Sequence, residues 1–118
     1  MLTNQEYWFH GTSVENAHKI CADGKLVGKH GIYFANTIGY ATAFARFHDK
    51  TKDVVVFKVP TERLEDVAKL SPGLDHEPAF YPKDLEVAWL WDEQNKDTAV
   101  DVFYDYDDIR IVRADQNV

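Results

Sequence analysis

Gly31-Ile32-Tyr33-Phe34-Ala35-Asn36 is the stretch on which the fold turns. Its apolar and aromatic residues read as a short strand. Asn36 or Thr37 then caps a helix carrying Tyr40, Ala41, Ala43, Phe44 and Ala45. Upstream, Tyr7-Trp8-Phe9-His10 is an aromatic run too short for a helix, and Gly11-Thr12 is expected to end it. Ser13 caps a helix with the apolar spacing Val14, Ala17, Ile20 and Cys21, and Gly24 is its expected C-terminal stop. Downstream, Asp53–Val59 is a β-branched strand stopped by Pro60. A short helix falls within Thr61–Leu70. Ser71–Lys83, with Pro72, Gly73, Pro78 and Pro82, reads as a long loop. Glu86–Trp91 is an apolar strand in which Trp89 and Trp91 alternate with Leu90, so at least one tryptophan is expected in the core. Val100–Tyr104 and Ile109–Val112 read as two strands hinged at Asp105–Asp108. The fold class is α+β.

A chain of 118 residues is expected to form one domain over 1–118. A hydrophobic share of 45% supplies an ordinary core and excludes a disordered chain. The formal charge of -7, from 13 basic against 20 acidic residues, argues against nucleic acid as a partner, because phosphate affinity comes from Lys and Arg. It favours a small molecule or a protein. The lone Cys21 has no partner for an internal disulfide and sits at the apolar spacing of a helix. The first residues lack the basic start and apolar run of a signal peptide, and no apolar stretch approaches the ~20 residues of a membrane span. A cytoplasmic location without membrane contact is the expectation. No metal site is expected: His18, His30, His48 and His76 lack ligand spacing, and Asp105, Asp107 and Asp108 lack the glycine and distal glutamate of a calcium loop.

Two segments carry chemistry. In Phe9-His10-Gly11-Thr12-Ser13, His10 offers ring nitrogens to a hydroxyl. Gly11 lets a ligand approach the backbone, whose N–H and C=O suit a carboxamide. In the second segment and its helix, Tyr33 and Phe44 offer aromatic faces for a flat cationic heterocycle. Taken singly, His10 is more ordinarily a structural histidine, Tyr33 a core residue, and Phe44 either core or stacking platform. If the two strands pair, they converge on one pocket.

The pair of segments resembles the ADP-ribosyltransferase fold, in its diphtheria-toxin-like and poly(ADP-ribose) polymerase-like branch with a His-Tyr-Glu triad. His10-Gly11-Thr12 is similar to the first motif, Gly31–Asn36 with Ala41-Thr42-Ala43-Phe44 to the second, and Val54–Val59 to the next core strand. Tyr104–Ile111 resembles the closing strand–turn–strand, and the resemblance has no anchor between about Thr61 and Ala99. It implies two packed antiparallel-rich sheets with short flanking helices, and NAD+ as co-substrate. His10 would bond a ribose hydroxyl, Gly11 would clamp the nicotinamide amide, and Thr12 or Ser13 would reach the ribose or phosphate side. Tyr33 and Phe44 would sandwich the ring. The implied chemistry is cleavage of the glycosidic bond to nicotinamide through an oxocarbenium-like transition state. On this alignment the family's glutamate falls at Val100, which leaves Glu86, Asp97, Asp101 or a group of the substrate to replace it. The implied activity is mono-ADP-ribosyl transfer to an acceptor, most simply a protein side chain. The alternative is an inactive NAD+- or ADP-ribose-binding module, or a protein-interaction domain on the same fold.

Overall fold

The strand β1, Tyr7–Ser13, lies at the centre of the architecture. It pairs antiparallel with β4, Val54–Pro60, over seven registers from Tyr7↔Pro60 to Ser13↔Val54. The computed structural model describes residues 4–73, 81–94, 97–102 and 108–115. Among these, β3 (Ile32–Ala35), β5 (Lys69–Pro72), β6 (Val87–Trp91) and β8 (Ile109–Val112) complete a six-stranded sheet in the order β5-β6-β3-β1-β4-β8. A two-stranded sheet of β2 (Lys25–Gly28) and β7 (Thr98–Asp101) stands apart from it. Every strand pair is antiparallel. With three helices, α1 (Val14–Asp23), α2 (Ile38–His48) and α3 (Thr61–Val67), the class is α+β.

Alternation along the strands gives the large sheet two apolar faces. On one face Trp8, Phe34, Val55, Phe57 and Leu90 pack with Ala17 of α1, Leu64 of α3, and Leu26 and Val100 of the small sheet. On the other, Ala35, Val54, Val56 and Val112 pack against Ala41 and Ala45 of α2. Each large side chain removed from water stabilises the fold by roughly 1.5–3 kcal/mol.

The helix ends form where the sequence signals them. Ser13 and Thr37 accept hydrogen bonds from the amides of Asn16 and Tyr40, both at 3.1 Å. Gly24 closes α1 in the left-handed conformation at φ 71°, with its amide donating to the Ile20 carbonyl. Of the two candidate caps for α2, Thr37 is the one used. Asn36 instead splints the chain ahead of β6: its amide donates to the Asp84 carbonyl at 2.7 Å, and its oxygen accepts from the Glu86 amide at 3.1 Å.

Several expectations are corrected. Gly11-Thr12 does not end β1, because pairing with β4 carries the strand on to Ser13. Gly11 is required by packing: a Cβ there would lie 2.3 Å from the Ala41 carbonyl oxygen of α2. The short strands β2 and β5 have no sequence signal of their own. Ser71 and Pro72, read as loop, belong to β5, an edge strand where proline is tolerated. On β6, Leu90 takes the core position while Trp89 and Trp91 are only half-buried, so neither tryptophan is a core residue. The strand read from Val100 begins at Thr98, and the expected end at Tyr104 and most of the hinge lie outside the described residues.

The Gly11→Ala variant is expected to lose about 2 kcal/mol of stability, a typical overpacking penalty. Ser13→Ala is expected to lose about 1 kcal/mol, the worth of one helix cap. Urea unfolding measures both, and an unchanged midpoint for Gly11→Ala would mean that α2 is not seated on β1 as described.

Candidate functional site

The site originates where β1 and β3 part. Their register includes only Phe9↔Ala35, although β1 continues to Ser13 along β4. Across the gap that opens, the Nδ1 of His10 lies 2.9 Å from the carbonyl oxygen of Tyr33. A carbonyl only accepts, so Nδ1 carries the hydrogen, and in the neutral ring Nε2 keeps its lone pair. The edge of the His10 ring meets the Phe34 ring at 5.7 Å and 62°, which fixes its orientation.

A cavity of about 840 Å³ opens at this gap. That volume lies within the ~300–1,000 Å³ of small-molecule sites. All five residues singled out from the sequence, His10, Gly11, Thr12, Tyr33 and Phe44, line it. The structure brings them together from β1, β3 and α2. Tyr33 is 54% exposed, unusually open for a strand tyrosine. One side of its ring rests on Trp89 (centroids 6.1 Å apart, 19° between planes), and Trp89 in turn stacks on Trp91 at 5.3 Å and 13°. The Trp89 indole donates to the His30 carbonyl at 2.9 Å, which anchors this stack. Phe44 stacks on His48 at 6.2 Å. The α1 and β2 side of the cavity is polar and charged, with Asn16, Lys19, Asp23 and Lys25.

Burial pushes the His10 imidazole below its ordinary value of 6.5. The bond to the Tyr33 carbonyl and the charge of Asp49 oppose that shift without cancelling it. The ring is therefore held neutral at pH 7, with a hydrogen-bond acceptor left for a ligand.

The position aligned with the family's glutamate contributes nothing to the cavity. Val100 is fully buried in the core, opposite Leu26 in the β2–β7 pair. Asp101 points the other way into solvent, as alternation requires. Glu86, Asp97 and Asp101 are absent from the cavity lining. Asp23 and Asp49 are its carboxylates among the described residues. Asp49 follows the last residue of α2, and its Oδ2 lies 3.5 Å from the hydroxyl of Thr12. Sequence reasoning missed Asp49 because only the length and docking of α2 bring it to β1. It missed the Trp89 platform because the Tyr33↔Trp89 register is a property of sheet pairing. Among the described residues no cluster of side chains could hold a metal ion, and no helix is long and apolar enough to cross a membrane.

No protein-family model matches the chain, and neither a curated protein nor a solved structure matches it.

Two outcomes follow from this geometry. An imidazole whose folded pKa lies below 6.5 binds fewer protons than the unfolded chain over that interval, so stability falls as pH drops below about 6.5. NMR titration is expected to place His10 below 6.5, and the acid-side fall in melting temperature is expected to be shallower in His10→Gln. Val100→Glu is expected to lose at least about 3 kcal/mol through an unpaired buried carboxylate. A Val100→Glu protein as stable as the parent would place residue 100 outside the core.

Proposed function

We propose that the chain is a mono-ADP-ribosyltransferase of the ADP-ribosyltransferase fold, transferring ADP-ribose from NAD+ to an acceptor and releasing nicotinamide. The observation that carries this reading is the His10–Tyr33 bridge, which spans parted strands at the mouth of the cavity lined by Gly11, Thr12 and Phe44. With Nδ1 committed to the Tyr33 carbonyl, Nε2 of His10 accepts the hydrogen of a ribose hydroxyl. The backbone of Gly11 supplies a donor and an acceptor to the carboxamide. Thr12 lies beside them on the ribose side.

The nicotinamide ring of NAD+ is flat and positively charged. The exposed Tyr33 ring, backed by Trp89, and the Phe44 ring, which lines the same cavity, offer it aromatic faces. Holding the ring and the ribose separately orients the glycosidic bond between them, which is the positional part of catalysis. The bond breaks with its electron pair leaving on the nicotinamide nitrogen, and positive charge develops on the ribose. With a chain charge of -7, the favoured acceptor is a side chain on a basic protein face.

The burial of Val100 favours a second reading, a module that binds NAD+ or ADP-ribose without cleaving it. NAD+ is expected to raise the melting temperature under either reading. His10→Ala is expected to weaken binding about tenfold, one hydrogen bond of roughly 1.4 kcal/mol. Tyr33→Ala is expected to weaken it about fivefold, one stacking contact of roughly 1 kcal/mol. Chromatographic detection of nicotinamide, lost in both variants, identifies the transferase. Binding without nicotinamide release identifies the module, and no binding excludes both.

A further inference from the structure

We infer that Asp49 is the carboxylate that serves the reaction in this cleft, in place of any group on β7. The inference rests on the transferase reading above. Three observations carry it. Asp49 lines the cavity that also holds His10, Gly11, Thr12 and Phe44, whereas Glu86, Asp97 and Asp101 do not. Its Oδ2 stands 3.5 Å from Thr12 Oγ1, two positions beyond His10 and on the same face of β1. The position that would carry a carboxylate on β7 is occupied by a core valine.

Asp49 is well supported where it stands. As the C-terminal cap of α2 it donates its amide to the Ala45 carbonyl at 2.9 Å, so its backbone belongs to a helix already seated on β1. It also borders a second, polar cavity lined by Ser13, Asn16, Thr51 and Asp53.

In the assigned step, the bond from ribose C1′ to the nicotinamide nitrogen breaks and its electron pair leaves on nicotinamide. An oxygen lone pair of the acceptor forms the new bond to C1′, and the acceptor's proton passes to the Asp49 carboxylate. Until then, the same negative charge faces the cation developing on the ribose. A group from another element thus performs work that the sequence resemblance seeks on the penultimate strand.

The test uses the whole chain with NAD+ and with water as the simplest acceptor, so that the products are nicotinamide and ADP-ribose. Asp49→Asn is expected to slow nicotinamide release at least about 100-fold, the scale of one acid–base group. Its NAD+ affinity, read from the thermal shift, is expected to stay within about threefold. Asp49→Ser, which keeps a hydrogen-bonding partner for Thr12, carries the same expectation if the asparagine variant does not fold. Asp101→Asn, altered at the solvent face of β7, is expected to keep the parental rate. An active parent with an equally active Asp49 variant overturns the role of Asp49 alone. Equal losses of rate and affinity overturn it as well, since they would make Asp49 a binding residue. A parent that binds NAD+ and releases no nicotinamide overturns both the step and the transferase reading.

Discussion

A strand inside a sheet has two edges of backbone donors and acceptors, and both must find partners or face an opening. β1 commits one edge to β4 throughout its length. On its other edge it leaves β3 after Phe9↔Ala35, and the imidazole of His10 takes over the task of joining the two strands. A side chain is a narrower link than a ladder of amides, so the strands stay attached while a cavity opens between them. The position of the cleft, the tautomer of His10 and the outward presentation of Tyr33 all follow from that exchange of a ladder for a ring.

The walls of the opening are fixed from outside it. Gly11 lets α2 approach β1 so closely that the Ala41 carbonyl occupies the space of a missing side chain. The Tyr40 hydroxyl donates to the Asp84 carboxylate, and Asn36 bonds Asp84 and Glu86, so α2 and the chain entering β6 are tied together. Phe44, His48 and Asp49 ride on that helix. Tyr33 is fixed independently, by β6 behind it. The two sides of the cavity thus belong to different elements that share β1, β3 and one apolar core on each face of the sheet.

What was legible in the sequence was local. Ser13, Thr37 and Gly24 punctuate helices through bonds to their own neighbours, and the β-branched run before Pro60 forms a strand whatever surrounds it. The five cavity residues could be named because their residue types and order resemble a known arrangement. What escaped was pairing at a distance. Gly11 looked like a strand end because glycine usually interrupts, and only the approach of α2 explains it. At least one of Trp89 and Trp91 was expected in the core because they alternate with Leu90 on a strand, yet the core position belongs to Leu90. The burial of Val100, the position aligned with the family's glutamate, was hidden because its partner Leu26 lies on a strand without sequence signal. Asp49 had no local mark at all.

The stacked rings behind Tyr33 give the molecule an optical division of labour. Of three tryptophans, Trp8 is sealed in the core, whereas Trp89 and Trp91 lie ring over ring on the face that Tyr33 shares. Indoles at that separation couple their electronic transitions, and a tyrosine stacked on them passes excitation energy into the pair. Emission and ultraviolet dichroism from these rings therefore report on the cleft, while Trp8 reports on the integrity of the core. The chain carries, without any added label, separate chromophores for folding and for occupancy.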